Sequence, residues 1–430
     1  MTAWRVPFMS LVPGDDRSDT RAAIERVVAS GWFVLGPEVE AFESEFAAAM
    51  GAGHAAGVGT GTDALALILR ALDIGPGDEV ITTPLSAAYT ALAIMMTGAR
   101  PVFADVDPVR LTIDPDRVAQ AIGPRTRAIL PVHLYGQPAD MEALERIAAR
   151  HHLPIVEDCC QAHLATAAGR PVGTIGVAGA FSFYPTKNLG ALGDGGAAVT
   201  NDAALAARIR RLRNGGQRDR YLHDEAGVNS RLDEMQAAVL RARLPRLAAW
   251  TARRRALAAR YRRALADVPG MDLLPEHDPG HVYHLFVVRV RDAGDDARRG
   301  QLQPDQSGEN VRSVRLQPDQ RGGNVRSVRL QPDQQRRLAL QTALASRGIE
   351  TLIHYPLPIP RQPALAGTDP RECVAATRAC NEVLSLPLHP GLRDTDVDLV
   401  AAAIHGESPA LFRDARRAAA SGPPFGRTDT

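Results

Sequence analysis

From residue 56 to 245, short apolar runs alternate with stretches whose apolar positions recur at helical spacing. Residues 78–82, 100–104, 127–132 and 153–157 read as buried strands. Between them, a segment such as 141–150 places Leu144, Ile147 and Ala148 on one helical face. The alternation predicts an α/β domain with a largely parallel sheet, spanning 1–245. From 246 to 405 the pattern changes. An Arg/Ala-rich helix runs through Tyr261, a strand follows at 284–290, and a helix at 336–346. This part reads as a smaller α+β domain.

Two segments break the pattern. Leu302-Gln303-Pro304-Asp305-Gln306 recurs at 316–320 and 330–334, and the Asn310–Arg315 run recurs at 324–329. A period of about 14 is shorter than the usual solenoid units. The polar composition fits an insertion at about 300–334 carried in a surface loop rather than a docking arm. Residues 406–430 read as a disordered tail.

Charge excludes several functions. The 430 residues carry 50 basic and 49 acidic side chains, leaving no electrostatic footprint for nucleic acid or an anionic membrane. The longest apolar stretch, 87–96, is too short to span a bilayer, and the start has no secretory pattern, so a cytoplasmic protein is expected. The four cysteines have neither zinc-site spacing nor the look of a disulfide framework.

One residue type stands out. Lys187 is the only lysine in the chain, beside 49 arginines. Arginine replaces lysine wherever a fixed charge is enough, but it cannot lose its proton and attack a carbonyl. Compositional bias explains the arginines; it does not choose where the one lysine sits. Lys187 follows the apolar Phe181-Ser182-Phe183 and precedes the glycine-rich segment 190–196, a setting for covalent chemistry.

Asp158 ends the strand pattern at 153–157, where open α/β sheets bind ligands. No cluster completes a metal sphere around it. A lysine for a Schiff base and an aspartate for a pyridinium are the protein's share of pyridoxal-phosphate chemistry. Gly59-Thr60-Gly61-Thr62 opens a helix at 63–72 and offers N–H groups to the phosphate, with Ser182 as a second hydroxyl. The glycine spacing does not match a dinucleotide-binding fingerprint. His277, His281 and His284 have metal-like spacing but no acidic partner.

Several ordered stretches carry a resemblance: Gly75–Val80, Pro131–Gly136, Glu157-Asp158 with Gln161, Phe181–Phe183 with Lys187, Gly227–Arg231, and Ile353–Pro356. Together they resemble the DegT/DnrJ/EryC1/StrS sugar aminotransferases over nearly all of residues 6–405 outside the repeats. The resemblance implies a fold-type I pyridoxal-phosphate enzyme, with a mainly parallel mixed sheet flanked by helices and a smaller C-terminal domain. It implies that Lys187 holds the cofactor covalently, Asp158 pairs with the pyridine nitrogen, and Gln161 lies near the ring hydroxyl. Gly61, Thr62 and Ser182 then bind the phosphate, and Asn229 reaches the cofactor of a neighbouring subunit in a homodimer. His354 and Tyr355 belong to a loop near the sugar nucleotide. His163 reads as a substrate contact or as a core histidine.

Two positions depart from the family pattern. Ala87 stands where an aromatic usually covers the cofactor ring, with Tyr89 as substitute, and Leu164 replaces a usual glycine. The implied reaction moves an amino group, with L-glutamate as the expected donor, to a nucleotide-linked keto sugar, a dTDP-3-keto-6-deoxyhexose. The alternatives are amination at the sugar 4-position, a dehydratase (whose members carry histidine where Lys187 stands), and a cofactor-binding regulator without turnover.

Overall fold

A computed structural model describes residues 4–12, 14–291, 330–369 and 371–412. The first two copies of the repeat lie outside the described residues. The larger sheet has seven strands, in spatial order Arg100–Phe103, Glu79–Thr82, Thr126–Leu130, Val156–Asp158, Ala178–Ser182, Gly196–Thr200 and His54–Val58. Neighbours run parallel except Gly196–Thr200, which is antiparallel to both of its partners. Bridges from Ile129 to Ile155 and from Val132 to Asp158 join the two halves. Ala178–Ser182 and Gly196–Thr200 are buried along their whole length, so their apolar positions run continuously instead of alternating. The expected strands appear with ends shifted by a few residues. The apolar stretch 87–96 becomes the helix Tyr89–Met96.

Buried carboxylates stitch this domain together. Glu234, 1% exposed, accepts N–H bonds from Gly36, Glu38 and Val39 and so caps the helix Pro37–Ala49 from another helix, Glu234–Arg243. Glu157, fully buried, accepts from Gly173, Ile175 and Gly176 N–H at 2.7–2.9 Å and contacts His133 Nε2 at 3.0 Å. Because His133 Nδ1 accepts from Ala139 N–H, its Nε2 carries the proton and donates to Glu157.

The smaller domain is an antiparallel sheet of Met271–Leu273, Phe286–Val290 and Val383–Leu386. Helices Leu247–Ala264, Pro332–Ser346, Val374–Glu382 and Asp394–Phe412 complete it. Tyr261 stacks on Phe286 at 4.8 Å and donates to the Pro387 carbonyl. Three boundaries differ from expectation. Val6 pairs with Ile349 of the small domain rather than joining the large one. Pro332–Ser346 starts inside the last repeat copy, where Gln331 and Gln334 form a capping box. Asp394–Phe412 runs past the tail boundary expected at 406, its apolar positions packing on the domain through Ile404 and its helical backbone continuing to Phe412.

The domains are tied closely. Asp105 of the large domain accepts N–H bonds from Ala375 and Ala376, capping a small-domain helix. Arg289 pairs with buried Glu382 at 2.6 Å and reaches the Pro108 carbonyl.

Candidate functional site

The carboxyl ends of the parallel strands converge. Asp158 and Ser182 are the last residues of neighbouring strands, and Gly61 opens the helix Gly61–Ala71. Glycine is required at 61, since a Cβ there would lie 2.7 Å from Cys160 Sγ and 2.8 Å from Ser182 Cβ. It is required again at Gly196, whose Cβ would meet the Thr60 carbonyl carbon at 2.3 Å. Thr60 caps the helix by accepting from Asp63 N–H at 3.0 Å. Ser230 ties the turn to another loop, accepting from Gly59 N–H at 2.9 Å and donating to Asp63 Oδ2 at 2.8 Å. Thr62 is half-buried, and Asn229, beside Ser230, is exposed.

Lys187 follows strand Ala178–Ser182 in a tight loop, its N–H bonded to the Tyr184 carbonyl at 2.8 Å. Burial pushes its amine below the ordinary lysine value, against an opposing pull from Cys160 and Asp158. An amine lowered in this way, within the field of a carboxylate, is suited to act as a nucleophile. Asp158, 5% exposed, accepts from Thr90 Oγ1 at 2.7 Å on one oxygen and from Cys160 N–H at 3.1 Å on the other. These bonds fix the plane of its carboxylate.

Gln161 links the domains. Its Oε1 accepts from Tyr135 N–H at 2.7 Å and its Nε2 donates to Tyr355 Oη at 3.0 Å. Tyr135 in turn donates its hydroxyl to the His354 carbonyl. The His354 ring meets Ser385 Oγ at 2.9 Å and stacks on Phe8 at 5.7 Å. Burial and the nearby Lys187 charge lower His354 to about 4, so its imidazole is neutral at physiological pH.

His163 is fully buried among Phe46, Phe181 and Phe183, and neither ring nitrogen has a hydrogen-bond partner. Burial pushes it down to about 3. This is the setting of a core histidine, not of a group facing substrate. Leu164 adopts the left-handed conformation, φ 63°, so the turn that usually takes a glycine is kept at the cost of some backbone strain. Tyr89, 65% exposed, heads its helix, and Ala87 is half-buried.

The three spaced histidines do not gather into a metal-binding group. His281 stacks on Tyr283 at 3.9 Å, His284 faces Asn188 at 3.1 Å, and His277 meets Gln137 through its backbone. Among the described residues, His133, Glu157 and Cys159 are the group close enough for a metal. His133 and Glu157 already hold the internal bonds described above. Thr90, Tyr135, Asn188 and His284 were not singled out from the sequence for these contacts. Thr90 left one signal, a hydroxyl inside an otherwise apolar run.

The family model for the DegT/DnrJ/EryC1/StrS aminotransferase family matches residues 15–315 and 306–405. The chain belongs to this family. It is 47% identical over 395 residues to the dTDP-3-amino-3,4,6-trideoxy-alpha-D-glucose transaminase of Streptomyces venezuelae, covering 90% of this chain and 92% of the relative. It is 45% identical to the erythromycin biosynthesis sensory transduction protein EryC1 of Saccharopolyspora erythraea, covering 93% and 98%. The crystal structure of S. venezuelae DesV in complex with a ketimine intermediate superposes with TM-score 0.80 at 45% identity, covering 95% of this chain and 99% of that one. Pyridoxal phosphate is therefore the cofactor, and the site fits it. Lys187 lies within electrostatic reach of Asp158, and Gly61 and Ser182 frame a helix N-terminus that glycine leaves clear.

Proposed function

We propose that this protein is a sugar-nucleotide aminotransferase that takes an amino group, from L-glutamate, to the keto carbon of a dTDP-3-keto-6-deoxyhexose. The observation that carries the reading is Lys187. The chain's single lysine has its amine lowered by burial within electrostatic reach of Asp158, in a site framed by Gly61 and Ser182. The 3-amino-sugar transaminase from S. venezuelae supports the choice of sugar. Amination at the 4-position is the rival.

When bound, pyridoxal phosphate supplies an electron sink for the charge released at the reacting carbon. Lys187 Nζ provides its covalent attachment and, when free, takes and returns the proton of the reacting carbon. Asp158, held by Thr90 and Cys160 N–H, keeps a proton on the ring nitrogen. The N–H groups at Gly61 and Thr62, with Ser182 Oγ, bind the phosphate. Gln161 holds Tyr355 and so ties the sugar-binding loop, with His354, to the ring site.

The working unit in this proposal is a cytoplasmic homodimer. Trp32, Phe33, Tyr89 and Tyr184 are each at least 50% exposed, large apolar side chains that a second copy would cover. Among the described residues no helix is long and apolar enough to cross a membrane. Re-associating inactive Lys187→Ala and Asn229→Asp chains should restore activity if Asn229 serves the other subunit; verified exchange without recovery would refute sharing.

The functional test is a screen of nucleotide-linked keto sugars with L-glutamate, locating the new amine by NMR. Turnover with a 3-keto sugar is expected. Amination at C4 would overturn the choice of carbon. Cofactor binding without turnover on any sugar would favour the regulator.

A further inference from the structure

His284 lies outside every role assigned so far, yet it is one of the most constrained side chains near the lysine. Its backbone is clamped on both sides. Val282 N–H bonds the Gly136 carbonyl at 3.0 Å, Leu285 N–H bonds the Tyr135 carbonyl at 3.3 Å, and buried Arg254 donates to the His284 carbonyl at 3.2 Å. Gly136 admits this approach, since a Cβ there would lie 2.9 Å from His284 N. The imidazole, 4% exposed, puts Nδ1 at 3.1 Å from Oδ1 of Asn188, the residue after Lys187. Asn188 is itself buried, and its Nδ2 has no hydrogen-bond partner.

We propose that His284 is a positioning residue for Lys187, acting through Asn188 to hold the lysine loop against the rim of the small domain. Two features make this more than packing. The contact joins the residue next to the lysine to a segment hydrogen-bonded through Leu285 N–H to Tyr135, the group that holds His354 and meets Gln161. Lysine loop and sugar-binding loop thus share one frame. The second feature is the protonation state. Burial, then the charges of Lys187 and Arg254 and the nearby His354 and His163, hold His284 well below its ordinary value. A neutral ring has one N–H to give, and with Asn188 Oδ1 as acceptor that proton sits on Nδ1. A lysine that must both carry a group and move a proton gains from an anchored neighbour, because small misplacements of a reacting group cost large factors in rate.

The inference rests on Lys187 as the attachment residue, and the single lysine gives a test that separates the two. Protein labelled with 13C at lysine Cε gives one lysine resonance, and its pH titration reads Lys187 directly. It is recorded on the full chain with the amine form of the cofactor, where Lys187 is free, and again without cofactor. His284→Ala should raise the Lys187 midpoint by about one pH unit as the loop loosens toward solvent, and should lower kcat by about tenfold or more while KM changes less. Asn188→Ala should do the same, and the double variant should be no worse than either single. His284→Asn, whose amide nitrogen offers a donor near the Nδ1 position, should recover most of the loss. If His284→Ala fails to fold, His284→Asn is compared with His284→Leu. A parent-like midpoint in His284→Ala, additive effects in the double variant, or equal effects of Asn and Leu would overturn the proposal. Failure of covalent attachment at Lys187 would instead sink the underlying assignment, and the titration would still read the loop.

Discussion

Replacing Thr90 with valine removes one hydroxyl and almost no volume, and tests how the Asp158 carboxylate is held. Thr90 Oγ1 lies 2.7 Å from Asp158 Oδ2, and the two residues are 2% and 5% exposed. Water cannot readily replace the lost donor. A hydrogen bond to a charged group contributes about 1.5–3 kcal/mol. Asp158 keeps its Cys160 N–H bond, so the carboxylate should stay in place but turn more freely and stabilise the protonated ring nitrogen less. If the whole loss falls on the transition state, at about 1.4 kcal/mol per factor of ten, activity drops roughly ten- to a hundredfold. Thr90→Ser keeps the hydroxyl and should stay close to the parent. The assay is the single-turnover half-reaction with L-glutamate, followed by cofactor absorbance, beside a urea unfolding curve for each variant. A Thr90→Val enzyme within twofold of the parent would refute the reasoning. So would an equal loss in Thr90→Ser.

Gly61→Ala should lower cofactor affinity by at least tenfold in an equilibrium titration, because the new Cβ meets Cys160 Sγ and Ser182 Cβ below 3 Å. Glu157→Ala should destabilise the fold by about 3–5 kcal/mol in urea, since it strips a buried anion from three N–H groups and His133. The pH profile of stability follows from the buried histidines. His163 and His281 sit near 3 in the fold against 6.5 when exposed, so on acidification the unfolded chain takes up protons first. The histidine contribution should be level above pH 6.5 and fall below it, by about 1.4 kcal/mol per pH unit for each such histidine until pH nears 3. His163→Phe should remove one such increment from the slope, and an unchanged slope would show that His163 is charged or exposed.

The sheet was legible because strands covered on both faces carry short apolar runs, as at Val80-Ile81 and Ala128-Ile129-Leu130. Strand Gly196–Thr200 escaped notice since its Gly-Ala-Ala-Val-Thr sequence has little bulk and continues a glycine-rich loop. The stretch 87–96 is short and mostly apolar, broken only by Tyr89 and Thr90, so periodicity alone could not tell helix from buried strand. The start of Pro332–Ser346 was hidden by the repeat, whose last copy doubles as a helix cap. Within the site, Lys187 and Asp158 were visible through residue chemistry and their place after apolar runs. Contacts at long sequence separation were not visible. Thr90 to Asp158, Gln161 to Tyr355 and His284 to Asn188 span 68, 194 and 96 residues, and no local pattern encodes such pairs. His163 was ambiguous for the same reason, since its aromatic enclosure is assembled from residues 46, 181 and 183.

Lys187 is the proposed point of covalent attachment, and the proposed function stands or falls with it. Borohydride reduction of the cofactor-loaded protein, followed by peptide mapping, measures this directly. One modified peptide is expected, containing Tyr184-Pro185-Thr186-Lys187-Asn188, and Lys187→Arg should yield none. Label on any other peptide, or none in the parent protein, would contradict the central claim.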